Sequence, residues 1–135
     1  MDWVSFSKSK KITNEIINRY DKLLYLNLYE NNIVTNLSNL TNLIKLNISN
    51  SSIKNDSIQH LTNLEELNIS NTYSILDIKH FKKLKNLYIR GIINIDFNDL
   101  IYLPDLKNIY LISNYHKHEI IEMIKILDND IKIND

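Results

Sequence analysis

The sequence predicts an α/β fold: a right-handed solenoid with a parallel sheet along its concave side and a helical cap at each end. Three observations predict it. Short leucine-rich strings recur from Leu23 at steps of 20, 21, 20 and 22 residues. Within each string apolar and polar residues alternate with period two, as in a half-buried strand. Both flanks instead space their apolar residues three and four apart, as an amphipathic helix does. A chain of 135 residues makes one ordinary domain. The division expected is an N-terminal helical cap over 1–22, five repeats over 23–114, and a C-terminal cap helix with a short strand over 115–135.

In the front segment Ile12, Ile16, Ile17 and Tyr20 fall at helical spacing around Thr13, a candidate N-cap, with Glu15 in the first turn. Ahead of it, Asp2-Trp3-Val4-Ser5-Phe6-Ser7 supplies one more turn, whose Trp3 and Phe6 are expected to cover the first strand.

The repeats begin with Leu23-Leu24-Tyr25-Leu26-Asn27-Leu28 and continue in phase at Leu43, Leu64, Leu84 and Leu106. Three residues before each first leucine stand Tyr20, Leu40, Leu61, Phe81 and Leu103; six before stand Ile17, Leu37, Ile58, Ile78 and Leu100. Strand leucines point to one face and the residues between them to the other. The positions at minus three and minus six belong to the return segment, which buries its own apolar side against the sheet. Parallel strands joined by right-handed crossovers then share one continuous core. Return segments of about eleven residues are too short for a full helix with two loops, so 3₁₀ or irregular turns are expected there.

These registers resemble the leucine-rich repeat, L-x-x-L-x-L-x-x-N-x-L with a period of about 20–29 residues. The resemblance covers residues 17 to 114, and the first copy matches in full, with Asn31 at the asparagine position and Ile33 at the last apolar one. It implies a horseshoe segment in which that asparagine bonds the backbone of the turn leaving the strand, and an open concave face as the usual ligand face. The asparagine position holds Asn31, Ser51, Thr72, Ile92 and Asn114. Ile92 cannot make such a bond, and its copy contains the only glycine, Gly91, so an irregular turn is expected there. In the third copy Ser74 stands where an apolar residue is expected, with Ile75 as its substitute.

The stretch from Asp2-Trp3 through Ser7 and Ile12-Thr13-Asn14-Glu15-Ile16-Ile17 to Tyr20 also resembles the tryptophan repeat of multigene families in insect poxviruses, where leucine-rich-repeat families occur too. The composition fits an A/T-rich genome: Ile 24, Asn 21 and Lys 14 against Arg 2 and no Ala.

At the back, His118–Leu127 reads as an amphipathic helix with Ile120, Met123, Ile124 and Leu127 on one stripe. Asp130-Ile131-Lys132-Ile133 then alternates as a last strand with acidic residues at its edge. Both ends therefore read as closed.

Composition excludes several chemistries. One Gly rules out glycine-rich phosphate loops, and no Cys rules out disulfides, thiol catalysis and cysteine-zinc sites. Sixteen basic and sixteen acidic residues give no net field toward nucleic acid or an anionic membrane. The densest basic stretch, Lys79, Lys82, Lys83, Lys85 and Arg90 around Tyr88, reads as solvated surface. His116, His118, Glu119 and Glu122 lack the paired-histidine spacing of a metalloprotease helix. No apolar run has the length of a leader or a membrane span, so a cytoplasmic protein is expected. No catalytic residue, metal or cofactor is expected.

The residues between the strand leucines carry the functional reading. The middle row is Asn27, Asn47, Asn68, Tyr88 and Tyr110. Two residues earlier stand Tyr25, Lys45, Glu66, Asn86 and Asn108; two later stand Tyr29, Ser49, Ser70, Arg90 and Ile112. Aromatic residues and arginine are enriched at binding hot spots. The candidate protein-binding residues are accordingly Tyr25, Tyr29, Asn47, Asn68, Tyr88, Arg90, Tyr110 and Ile112. Five strands about 4.8 Å apart span only about 19 Å, less than a standard interface of about 800 Å² per partner requires. The expectation is a non-enzymatic protein-binding module, monomeric or weakly oligomeric, acting as a viral host-interaction protein. The alternatives are a ubiquitin-ligase substrate adaptor docking through its N-terminal helix and a structural repeat protein with no fixed ligand.

Overall fold

The computed structural model describes residues 2–91, 93–112, 115–127 and 130–135. Seven of its strands form one parallel sheet. They are β1 (Trp3–Ser5), β2 (Tyr25–Asn27), β3 (Lys45–Asn47), β4 (Glu66–Asn68), β6 (Asn86–Arg90), β8 (Asn108–Ile112) and β9 (Lys132–Asn134), in that spatial order. Two further strands, β5 (Ile75–Leu76) and β7 (Asn94–Ile95), pair with each other in a separate parallel sheet. Val4, Leu26, Leu46, Leu67, Leu87, Ile109 and Ile133 stand in register across the main sheet. The period-two pattern thus places one apolar residue of every strand in a single row.

The phased positions are the core. Leu23, Leu26 and Leu28, and their counterparts in the later copies through Leu106, Ile109 and Leu111, are all buried. So are Ile17, Leu37, Ile58, Ile78 and Leu100, and Leu40, Leu61, Phe81 and Leu103. Each such side chain contributes about 1.5–3 kcal/mol by leaving water. Tyr20 is the exception. It is 36% exposed, because no earlier return segment lies over it; Phe6 flanks it at a ring distance of 6.3 Å.

Two expected core positions shift. Ile33 is 45% exposed and Val34 is buried in its place. Asn31 Oδ1 accepts the backbone N–H of both Ile33 and Val34 at 3.0 Å, which tightens the turn so that residue 34 is the one to enter the core. In the third copy Ile75 is 74% exposed and Leu76 is buried. Pairing of Leu76 with Ile95 fixes the register of β5, and alternation then puts Ile75 outside. The expected 3₁₀ turns occur at Asn55–Ser57 and Phe97–Tyr102; the β5–β7 pair was not expected.

The turn after each strand repeats one backbone conformation. Lys8, Glu30, Asn50, Asn71 and Gly91 have φ of 57°, 53°, 53°, 52° and 65°, one in the front segment and one in each of the first four copies. Amide groups of the first four donate to Tyr29, Ser49, Ser70 and Arg90 carbonyls at 2.8–3.0 Å, so the ladder continues past the strand. Gly91 is therefore a regular member of this series. A left-handed residue costs an L-amino acid about 1–2 kcal/mol, and glycine avoids that cost. A Cβ at Gly91 would also lie 1.9 Å from Asn71 Oδ1. Ile92 itself, and Asn114 at the fifth asparagine position, lie outside the described residues.

Buried polar groups close the turns. Asn31 Nδ2 donates to the Phe6 and Ser9 carbonyls at 3.0 and 3.1 Å, so its amide serves two successive turns. Ser51 and Thr72 donate to the Ile48 and Ile69 carbonyls at 2.6 and 2.7 Å. Hydroxyls thus replace part of the amide's work, because buried backbone groups need partners.

The return side is joined by side chains. Asn14 Oδ1 accepts from the Thr35 and Asn36 amides at 2.7 and 3.0 Å. Asn18 donates to Asn36 O at 2.9 Å and accepts from Asn39 N at 3.0 Å. Asn42, Asn55 and Asn63 similarly reach the backbone of the adjacent copy.

At the ends the helical expectation holds unevenly. Within 1–22 helix is limited to one turn, α1 (Asn14–Ile17), whose N-terminal amide at Ile16 is accepted by Thr13 Oγ1 at 3.4 Å. Trp3–Ser5 is a strand paired with β2, so this segment adds to the sheet instead of forming a helical cap. Its one helical turn buries Ile17 in the core. At the other end α2 (Lys117–Leu127) buries Ile120 and packs Met123, Ile124 and Leu127 on the core, and β9 runs parallel to β8.

Candidate functional site

The face of the main sheet opposite the core carries three rows of side chains. Parallel register aligns Trp3, Tyr25, Lys45, Glu66, Asn86, Asn108 and Lys132 in the first, and Ser5, Asn27, Asn47, Asn68, Tyr88, Tyr110 and Asn134 in the second. The third, one further residue pair along the longer strands, brings Arg90 beside Ile112. All eight candidate residues lie on this face or its rim. Seven strands at about 4.8 Å span about 29 Å, wider than five repeats allow, because β1 and β9 join the sheet.

The first row is linked laterally. Lys45 Nζ stands 5.4 Å from the Tyr25 ring centre and 2.9 Å from Glu66 Oε1. Asn86 Nδ2 donates to Glu66 Oε1 at 3.4 Å, and Asn108 Nδ2 to Asn86 Oδ1 at 2.9 Å. The Glu66 carboxylate, accepting its hydrogen bond, holds the Lys45 ammonium above its ordinary pKa against the opposing effect of burial. With Trp3, which is 61% exposed, this row borders a groove of about 450 Å³.

The second row changes character along the sheet. Asn27, Asn47 and Asn68 each accept the backbone N–H two residues on, those of Tyr29, Ser49 and Ser70, at 2.9–3.0 Å. Their carbonyl oxygens therefore have a structural role. Their neighbours Tyr88 and Tyr110 stack face to face, with ring centres 4.4 Å apart and planes 6° apart. Such pairs contribute about 0.5–1.5 kcal/mol beyond burial. Burial, then the nearby Glu66 carboxylate, raises the Tyr88 hydroxyl pKa.

Beyond these rows a cup of about 480 Å³ lies between Tyr29 on one side and Tyr88, Arg90, Tyr110 and Ile112 on the other. Small residues make its floor: Ser49 and Ser70 are buried. At its far rim the Tyr29 hydroxyl faces the Glu30 carboxylate, an interaction that raises the Tyr29 pKa and lowers that of Glu30. Lys8 adds an ion pair to Glu30 at 3.4 Å and a place 5.4 Å from the Tyr29 ring centre.

Sequence reasoning placed the aromatic positions on this face but missed Trp3, the Lys45–Glu66 pair and the serine floor. Trp3 was expected to cover the first strand; instead it stands in register with Tyr25. Alternation of Trp3-Val4-Ser5, with Val4 inward, is the signal that identifies β1.

The other clusters disperse. Lys79 pairs with Asp77 at 2.7 Å, Lys83 donates to Asn63 at 2.7 Å, and Lys85 pairs with Glu65 at 2.8 Å. His116 meets Glu119 at 3.4 Å. No group of three or more metal-type ligands occurs among the described residues, and no helix among them is long and apolar enough to cross a membrane.

No model of a known protein family and no curated protein matches this chain. Solved structures do match. An internalin (inlF) from Listeria monocytogenes aligns over 84% of this chain and 42% of its own, with TM-score 0.58 and 22% identity. Internalin C2 (inlC2) of the same organism aligns over 98% of this chain and 80% of its own, with TM-score 0.51 and 18% identity. The chain thus spans less than half the length of the first of these. Its parallel sheet, its phased core and these neighbours give it the leucine-rich-repeat solenoid fold.

Proposed function

We propose that this chain is a non-enzymatic protein-binding module that takes its partner on the open sheet face. The observation that carries the reading is the stacked Tyr88–Tyr110 pair between two concavities, the groove beside Trp3, Tyr25 and Lys45 and the cup beside Arg90 and Ile112. Rigid aromatic pairs with adjacent pockets are the usual composition of an interface centre. A host-interaction role for a viral protein is the finer reading. The composition, rich in residues with A/T-rich codons, and the tryptophan-repeat likeness of residues 2–20 support it.

The test is capture of partners from host-cell lysate by the chain and by its Tyr88→Ala/Tyr110→Ala variant. Recovery of the specific partner should fall about tenfold or more in the variant, as for a pair of hot-spot residues. Equal recovery at equal folded fraction, judged by circular dichroism, moves the binding site off this face.

A further inference from the structure

The cup beside Tyr88 and Tyr110 presents one cation, Arg90, and several side-chain donors. Asn47 Oδ1 accepts from both the Ser49 amide and hydroxyl, and Asn68 Oδ1 from the Ser70 amide, which orients both side chains and leaves their Nδ2 protons for a ligand. Arg90 is exposed, and its guanidinium has no ion pair or hydrogen bond among the described residues. Arg19, by contrast, is bonded to Glu15 at 2.6 Å. Among the described residues no carboxylate lines the cup. Two acidic residues on this face or its rim are already engaged: Glu30 with Tyr29 and Lys8, Glu66 with Lys45.

We propose that this cup receives a side-chain carboxylate of an acidic peptide segment, with Arg90 as its countercharge and the Asn47 and Asn68 amides as additional donors. The proposal rests on the open face being the binding face and specifies what the partner brings there. One guanidinium balances one carboxylate and can hold it by two parallel hydrogen bonds. A phosphate dianion requires more positive charge than the cup contains. Tyr110 and the half-exposed Ile112 give the residue next to the acid an apolar wall.

The experiment is selection of a random seven-residue peptide library displayed on phage against the folded chain, its Arg90→Gln variant and the Tyr88→Ala/Tyr110→Ala variant. Asp or Glu should be enriched at one fixed position beside an apolar residue for the unmodified chain. The enrichment should vanish for R90Q. A synthetic peptide carrying the selected sequence should bind R90Q about tenfold more weakly, as for loss of a charged hydrogen bond. Its Asp→Asn or Glu→Gln analogue should bind the unmodified chain about equally weakly. The proposal is overturned if no acidic preference emerges, if R90Q keeps it, or if a phosphoserine at that position binds more tightly than the acid. Peptides without acidic preference that still depend on Tyr88 and Tyr110 would leave the open face as the binding face. Peptides indifferent to both variants would remove that reading as well.

Discussion

The strand side and the return side of this solenoid join the same successive copies by different means. On the strand side the backbone does the joining: parallel ladders run from β1 to β9 and continue through the left-handed turn residues. The ladder therefore does not depend on the side chains between the strand leucines, which can differ from copy to copy, as the change from Asn47 and Asn68 to Tyr88 and Tyr110 illustrates. On the return side the segments are 3₁₀ turns, short strands or irregular chain, whose backbone groups cannot form a long ladder. Side chains supply the bonds there, chiefly those of Asn14, Asn18, Asn42, Asn55 and Asn63. A repeat protein can thus vary its strand face for recognition with less loss of stability than its return face.

The largest expected effect lies in the core that both sides share. Leu67 is fully buried at the centre of the main sheet, and Leu67→Asp places a charge there at a cost of several kcal/mol. Circular dichroism should show the array unfolded; a folded variant would break the register on which the two sides are defined. Next comes the direct contrast between the sides. Asn18→Ala removes bonds to Asn14 O, Asn36 O and Asn39 N at 2.8–3.0 Å and should cost about 1–2 kcal/mol. Asn68→Ala removes one bond, at 3.0 Å, and should cost about 0.5–1 kcal/mol in chemical denaturation. The reverse order would deny that return-side asparagines hold the copies together.

The smallest effect is a pH dependence at the strand-side rim. The Tyr29 hydroxyl first, and Lys8 after it, lower the Glu30 pKa in the folded chain. A carboxylate with a depressed folded value contributes stability above its unfolded value and loses it as pH falls through the folded one. Glu30→Gln should therefore flatten the acid side of the stability profile slightly, measured by thermal melts between pH 7 and 3. An unchanged slope would sever Glu30 from Tyr29.

Much of the strand side was legible in the sequence because period two and a near-constant step are local patterns. Leu26, Leu46 and Leu67 align as their spacing requires, and Tyr88 falls beside Tyr110 for the same reason. The return side was legible only in part: its phased positions such as Leu37 and Leu40 are buried as expected, but the rest was not. Its steps vary, so the inward residue shifts from Ile33 to Val34 and from Ile75 to Leu76. Abundant asparagine looked like a codon habit, since a bond such as Asn18 to Asn39 connects residues 21 apart and leaves no local trace.

What the sequence determined by itself is the phased core and hence the stacking of parallel strands, since burying leucines at a fixed step admits few other solutions. Tertiary structure alone decided that Trp3–Ser5 joins the sheet, that Gly91 takes the same left-handed turn as Asn50 and Asn71, and that Arg90 has no countercharge among the described residues. Each depends on which residue of another copy stands opposite. That is fixed by register across the whole stack, and no stretch of one copy contains it.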